Sequence, residues 1–179
     1  MRQVAAEGSP LRIRSFPPLA DPRARALILG SMPGAASLAA GQYYAHPHNA
    51  FWRILGALFG FDPGAPYAKR VEAVLDARVA VWDVLATCVR RGSLDSNIEP
   101  TSRRPNDFER FFAEHPRIEH VFFNGTTAEA CFRRSVIPRL RESILPSTRL
   151  PSTSPAHASL DFARKLAVWR AVPRLLESS

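Results

Sequence analysis

The sequence predicts an α/β fold with three α/β/α layers around a central four-stranded, mostly parallel sheet. Short apolar segments alternate with stretches whose apolar residues recur at helical spacing. Each apolar segment runs into a turn of Gly, Pro, Ser or Asn, as strands feeding crossover helices do. The 179 residues suit one domain, and no internal repeat or low-complexity tract divides them.

Residues 1–25, with Pro10, Pro17, Pro18 and Pro22, read as an irregular lead-in with one short extended piece at Leu11–Arg14. A single domain then occupies 26–179. Ala26–Leu29 is its first strand. Asn49–Phe59 is an amphipathic helix that aligns Phe51, Trp52, Leu55, Leu58 and Phe59. Ala68–Asp76 is a second helix, Arg78–Trp82 a second strand, and Asp83–Asn97 a partly irregular connection. Pro100–Pro105 reads as a loop. Asn106–Glu114 is a helix, with Asn106 as N-cap and Glu109 three residues on. Glu119–Phe123 is the third strand, closed by the turn Asn124–Gly125–Thr126 before a helix at Thr127–Val136. Thr148–Leu150 is the fourth strand, Pro151–Ala156 a loop, and Leu160–Leu176 a long helix interrupted near Pro173.

No apolar run approaches the ~20 residues that span a bilayer, and the N-terminus lacks the apolar core of a secretory signal. The expected location is the cytoplasm. Cys88 and Cys131 have no CxxC spacing, which excludes a cysteine-ligated iron–sulfur cluster or a four-cysteine zinc site within this chain. Both read as buried free thiols. His46 and His48 could share a metal, but no third ligand stands near them, so neither metal nor cofactor is expected. Twenty-four Lys plus Arg against sixteen Asp plus Glu give +8. Lys69 and Lys165 are the only lysines, so the excess is arginine, which meets phosphate with a planar, bidentate fork. Such a balance suits a polyanion binder and equally the codon usage of a GC-rich genome.

In a parallel sheet the loops that follow the strands gather on one edge, where ligands bind. Here they are Ser31–Met32–Pro33–Gly34 with the aromatic stretch Gln42–Trp52, Asp83 with Gly92–Ile98, Asn124–Gly125, and Pro151–His157. Hydroxyl, amide and small residues dominate them. Their side chains and backbone N–H groups are of the kind that position phosphates, and the aromatic loop can stack a flat ring. The edge reads as a nucleic-acid face.

Taken together, these segments resemble the uracil-DNA glycosylase superfamily, and within it the hypoxanthine-DNA glycosylase (DNA-deoxyinosine glycosylase) family. Gly30-Ser-Met-Pro-Gly34 stands where the superfamily has its first motif. Tyr44-Ala-His-Pro-His-Asn-Ala-Phe-Trp52 is similar to a stretch of mismatch-specific uracil glycosylases. Gly92-Ser-Leu-Asp-Ser-Asn-Ile98 and Leu150-Pro-Ser-Thr-Ser-Pro-Ala156 resemble the hypoxanthine group. The likeness covers roughly 26–172. It implies a monofunctional hydrolase that cleaves the N-glycosidic bond of deaminated bases, hypoxanthine first, to begin base excision repair. The partner would be DNA, bound by a monomer with no cofactor.

One position departs from the family pattern. Where most of the superfamily carries an Asp or Asn that handles the attacking water, this chain has Met32, whose thioether cannot take a proton from water. The resemblance moves that role to Asn49, which equally fits the cap of the following helix. It places Ser31 and Met32 beside the base, Met32 as a pocket wall. Tyr44 is the candidate for stacking on an extruded base, or an ordinary core aromatic. His46 bonds base or phosphate, or braces its loop. Asp83 accepts the N1–H of hypoxanthine, a proton adenine lacks, or else caps a helix or pairs with Arg. Asn124 points into the site or only makes the turn. Ser96, beside Asp95 and Asn97, contacts DNA or shapes a turn. Ser152, Thr153, Ser154, Pro155 and His157 resemble the motif that presses into the minor groove. No lysine stands in these motifs, which disfavours a Schiff-base lyase. The competing functions are a mismatch-type uracil-DNA glycosylase and a catalytically silent DNA-binding module. A flavodoxin-like nucleotide binder lacks support, because neither GxGxxG nor a P-loop is present.

Overall fold

The computed structural model describes residues 11–141 and 144–178. In chain order its elements are β1 (Arg12–Arg14), β2 (Ala26–Gly30), α1 (Ala35–Ala40), α2 (Phe51–Phe59), α3 (Tyr67–Asp76), β3 (Val79–Asp83), β4 (Leu85–Val89), β5 (Arg104–Pro105), α4 (Phe108–Glu114), β6 (His120–Asn124), α5 (Thr126–Ser135), β7 (Ser147–Leu150), α6 (Phe162–Trp169) and α7 (Ala171–Glu177). Strands β3-β2-β6-β7 form the four-stranded parallel sheet that the alternation predicts. Every residue of β2 and β3 is buried. Because successive strand side chains point to opposite faces, both faces of the sheet centre are covered. Helices supply the cover: α3 packs on β3, α5 on β6, α6 on β7 and α7 on β2.

A second sheet was not legible in the sequence. The stretch expected as an irregular connection holds β4, which pairs antiparallel with β1 and β5. Its start is hidden because Val84 alone separates it from β3. The loop expected at Pro100–Pro105 contributes β5, a two-residue edge strand where a proline costs no ladder bond. The lead-in is less irregular than its prolines suggest. Arg12–Arg14 is β1, Leu19 bridges Val81, and the carbonyls of Phe16 and Pro17 accept from the Trp82 indole and the Tyr43 hydroxyl. Pro10, the first proline of that lead-in, lies outside the described residues.

One short helix is added and two helix ends are corrected. Helix α1 is a six-residue turn between Gly34 and the left-handed Gly41, too short to show periodicity. The N-cap of α4 is Asp107, whose carboxylate accepts from the Arg110 amide at 3.1 Å. Asn106 instead donates its amide to the Asp83 carbonyl at 2.8 Å, tying α4 to the end of β3. The C-terminal helix breaks at Arg170, not at Pro173. Pro173 sits in the first turn of α7, where its missing N–H has no helical acceptor to lose. No helix among the described residues is long and apolar enough to cross a membrane.

Candidate active site

The chain leaves central strand β2 for β3 on one side and returns on the other as β6. In parallel sheets ligands bind at such a topological switch point, here at the carboxyl ends of β2 and β6. Gly30, Asp83 and Tyr44 meet at this edge. Gly30 and Asp83 end their strands as register partners. A Cβ on Gly30 would lie 2.6 Å from Asp83 Oδ1 and 2.9 Å from the Tyr44 hydroxyl, so only glycine admits both groups. Tyr44 has a φ of 52°, an uncommon conformation for a non-glycine residue. Its ring is held by stacking on Phe51, centroids 3.8 Å apart and planes at 19°.

Asp83 Oδ2 is buried without a hydrogen-bond partner, and the buried Tyr44 hydroxyl has only a loose approach from the Asn124 side chain. Buried polar atoms are nearly always paired, so both atoms have bonding capacity to spare. Burial, reinforced by the nearby Asp95 and opposed by Arg90, pushes the Asp83 carboxyl up to about 7. Burial also raises the Tyr44 phenol, and Asp83 adds to that, so the hydroxyl stays a donor at neutral pH.

Asn49 sits at the rim. Its Oδ1 accepts from the Phe51 amide at 3.0 Å, and its own amide donates to the His46 carbonyl. The cap position itself belongs to Ala50, so Asn49 serves the helix from one residue upstream through an Asx turn. Ala50 in turn donates to the Thr153 carbonyl at 3.0 Å. Thr153 is clasped by Asn124: the Thr153 amide donates to Asn124 Oδ1, and Asn124 Nδ2 donates to the Thr153 hydroxyl, each at 2.9 Å. Asn124 is thus the last residue of β6 and a tie between loops, not merely a turn former. Asn124→Ala is expected to strand the buried Thr153 amide and cost about 1–3 kcal/mol of stability. Urea unfolding and faster exchange of the Thr153 amide would report the loss.

The Gly92–Ile98 loop is fastened to the turn after β2. The Ser31 hydroxyl donates to Asp95 at 2.6 Å, and the Ala35 amide donates to the Ser93 hydroxyl at 2.9 Å. The Arg90 guanidinium donates to the carbonyls of Pro33 and Gly92. Arg90 is therefore buried, and of the Arg90–Arg91 pair only Arg91 faces solvent. Met32 is buried in the hydrophobic core. His46 is exposed, its Nδ1 accepting from the His48 amide, and Ser96 is exposed on the outer side of its loop. Ser152 and His157 line a cleft of about 340 Å³ with Thr126 and Arg149, while Ser154 shapes the exposed Pro155 turn through the Ala156 amide. Lys165, which the sequence left without a role, is buried and donates Nζ to the His157 carbonyl at 2.7 Å, bracing that loop. Both cysteines are buried and free. Among the described residues no cluster of three or more His, Cys, Asp or Glu is placed to hold a metal.

The model of the Uracil DNA glycosylase superfamily matches residues 17–175. The chain belongs to this superfamily. The match takes in the lead-in from Pro17, the segment that carries the carbonyl bonded by Tyr43. Among superfamily relatives, a hypoxanthine DNA glycosylase of Methanosarcina acetivorans is 33% identical over 162 residues, covering 90% of this chain and 98% of the relative. A hypoxanthine DNA glycosylase of Methanosarcina barkeri is 37% identical over 116 residues, 64% of this chain and 72% of the relative. The solution NMR structure of a candidate uracil DNA glycosylase from Methanosarcina acetivorans superposes with a TM-score of 0.75 at 32% identity. It covers 93% of this chain and 99% of that one.

Proposed function

We propose that this protein is a monofunctional DNA glycosylase that hydrolyses the N-glycosidic bond of deoxyinosine, leaving an abasic site for base excision repair. The carrying observation is the pair of buried atoms with bonding capacity to spare at that edge of the sheet, Asp83 Oδ2 and the Tyr44 hydroxyl. Hypoxanthine presents an N–H donor at N1 beside a carbonyl acceptor at C6; adenine presents the reverse. An ionised Asp83 accepts N1–H and the Tyr44 hydroxyl donates to O6, so the pair selects the deaminated purine and meets the lone pair of adenine N1 with a negative charge. With one ring face committed to Phe51, Tyr44 reads the base through its hydroxyl instead of serving as the free stacking surface. The nucleotide enters by base flipping, as any duplex substrate of a glycosylase must.

Bond cleavage passes through an oxocarbenium-like sugar, which needs electrostatic stabilisation and a placed nucleophile more than a strong base. Asn49 Oδ1 has a second lone pair free beside its bond to Phe51, and that lone pair holds the water in line with C1′. Ser152, Ser154, Pro155, His157 and Ser96 contact the DNA backbone, with His46 at the rim; Thr153, expected among them, is buried and holds its loop through Asn124 and Ala50 instead. The protein acts as a monomer in the cytoplasm and uses no cofactor.

Duplexes containing deoxyinosine, deoxyuridine or deoxyxanthosine, incubated with the protein and then treated with alkali, test this reading. Strand breaks at deoxyinosine are expected, and none before alkali. Breaks at uracil alone would make it a mismatch-type uracil glycosylase. Binding without breaks would make it a silent DNA-binding module. Binding should weaken steeply with salt as phosphate counterions are released.

A further inference from the structure

The arginines of β1 and β5 take no part in the site described above. Strand β1 reads Arg-Ile-Arg, the alternation of a half-buried strand. Ile13 turns inward opposite the buried Cys88, while Arg12 and Arg14 turn outward and are exposed. The register sets Arg14 opposite Thr87 and Thr87 opposite the exposed Arg104, so one row crosses all three strands of the small sheet. Arg12 joins the same face, because its Nη1 donates to the Thr87 hydroxyl at 3.1 Å. The outer face of this sheet therefore presents three arginines together.

Among the described residues none of the three forms an ion pair. Glu99 stands beside them, its amide on the Val89 carbonyl, and pairs with none of them. Like charges on neighbouring strands destabilise a sheet, so the row carries a cost that an outside anion would relieve. The guanidinium groups are also aimed. Arg12 Nη1 is shared between the Thr87 hydroxyl and the Ser102 carbonyl, and Arg104 Nη1 between the carbonyls of Thr101 and Arg103. Each keeps Nε and Nη2 free, the side-on pair that grips a phosphate with two parallel bonds.

The face is fastened to the same edge as Asp83. The Leu85 amide, at the start of β4, donates to the Ser31 carbonyl, and Arg90, just past its end, donates to the Pro33 carbonyl. Both ends of β4 are thereby tied to the turn that follows Gly30. We propose that this arginine face is a second nucleic-acid contact, taking backbone phosphates of the duplex that flanks the lesion. The proposal rests on the glycosylase reading for the identity of the polyanion. The row spans two strand spacings, about 10 Å, and duplex DNA carries about one charge per 1.7 Å of its axis. Several phosphates therefore come within reach of one fixed surface.

Binding of an undamaged duplex of about 30 base pairs, followed against salt, tests the face. Arg14→Gln combined with Arg104→Gln should make the slope of log K against log salt shallower by about two, and weaken binding about tenfold or more near 0.1 M salt. Its melting temperature should hold or rise, since a like-charged row is relieved. Arg14→Lys combined with Arg104→Lys keeps the charges and should keep most of the slope. Arg78→Gln combined with Arg117→Gln removes the same charge from exposed positions before β3 and β6, at the amino edge of the parallel sheet, and should leave the slope near native. A native slope in the Arg14 and Arg104 variant, or an equal loss in the amino-edge variant, would overturn the proposal. So would native binding together with self-association of the variant on sedimentation, which would make these arginines guards of the edge strands β1 and β5. The probe holds no deoxyinosine, so a protein that cuts nothing fails the glycosylase reading and leaves this measurement standing.

Discussion

Asn49→Ala is expected to lower kcat on deoxyinosine duplexes by about two to three orders of magnitude while leaving duplex affinity near the native value. The same substitution removes the acceptor of the Phe51 amide and should cost about 1 kcal/mol of stability. A variant can lose turnover merely because α2 frays, so two further substitutions separate the roles. Asn49→Asp keeps the cap and adds a stronger proton acceptor; it should restore turnover and let it fall at acidic pH. Asn49→Ser keeps a capping oxygen on a shorter arm; it should recover stability without recovering rate. Single-turnover rates and urea unfolding, read side by side, check both. A native rate in Asn49→Ala would mean that another group holds the water.

The second large effect is on pH dependence, through Asp83. Its carboxyl sits at about 7 in the fold and near 3.9 in the unfolded chain. Below about pH 4 both states are protonated and the fold carries no penalty. Between about 4 and 7 the unfolded chain ionises first, so stability falls as pH rises, and above 7 the loss levels off at up to about 4 kcal/mol. Asp83→Asn has no proton to lose, so it should be more stable than the native protein by a margin that widens across this window. Urea unfolding at pH 5 and pH 8 measures the margin; an equal margin at both would mean that the carboxylate ionises without cost. Activity should run the other way. The ionised carboxylate accepts N1–H, so kcat/KM on deoxyinosine should climb through about pH 7, and Asp83→Asn should flatten that rise. The protein would then be least stable in the charge state that reads its substrate.

The parallel sheet was legible because its strands are apolar runs closed by turn residues, and the buried β2 and β3 carry no polar residue before Asp83 ends β3. The second sheet was not, because β4 follows β3 across a single residue and finds partners distant in sequence. The same divide runs through the site. Asp83 and Asn124 could be named because each ends a strand, whereas the site role of Asn49 came from the family resemblance alone, its place before a helix pointing to a cap. Gly30 was passed over, since its requirement is steric and set by Asp83 and Tyr44 meeting above it. The burial of Arg90 was not legible, because composition counts charge and does not see that the guanidinium turns inward to Pro33 and Gly92. The Asn106 cap was misplaced by one residue because two amide-or-acid residues stand together, and the chain spends the first on the Asp83 carbonyl.

The carboxyl edge of the parallel sheet is held by partners distant along the chain, and the clasp between Asn124, Thr153 and Ala50 joins three segments of it. A nascent chain that has not yet delivered β7 and the loop behind it leaves this edge unfastened. Until the loop after β7 is made, Asn124 lacks the two bonds that Thr153 supplies, and Ala50 lacks the carbonyl to which it donates.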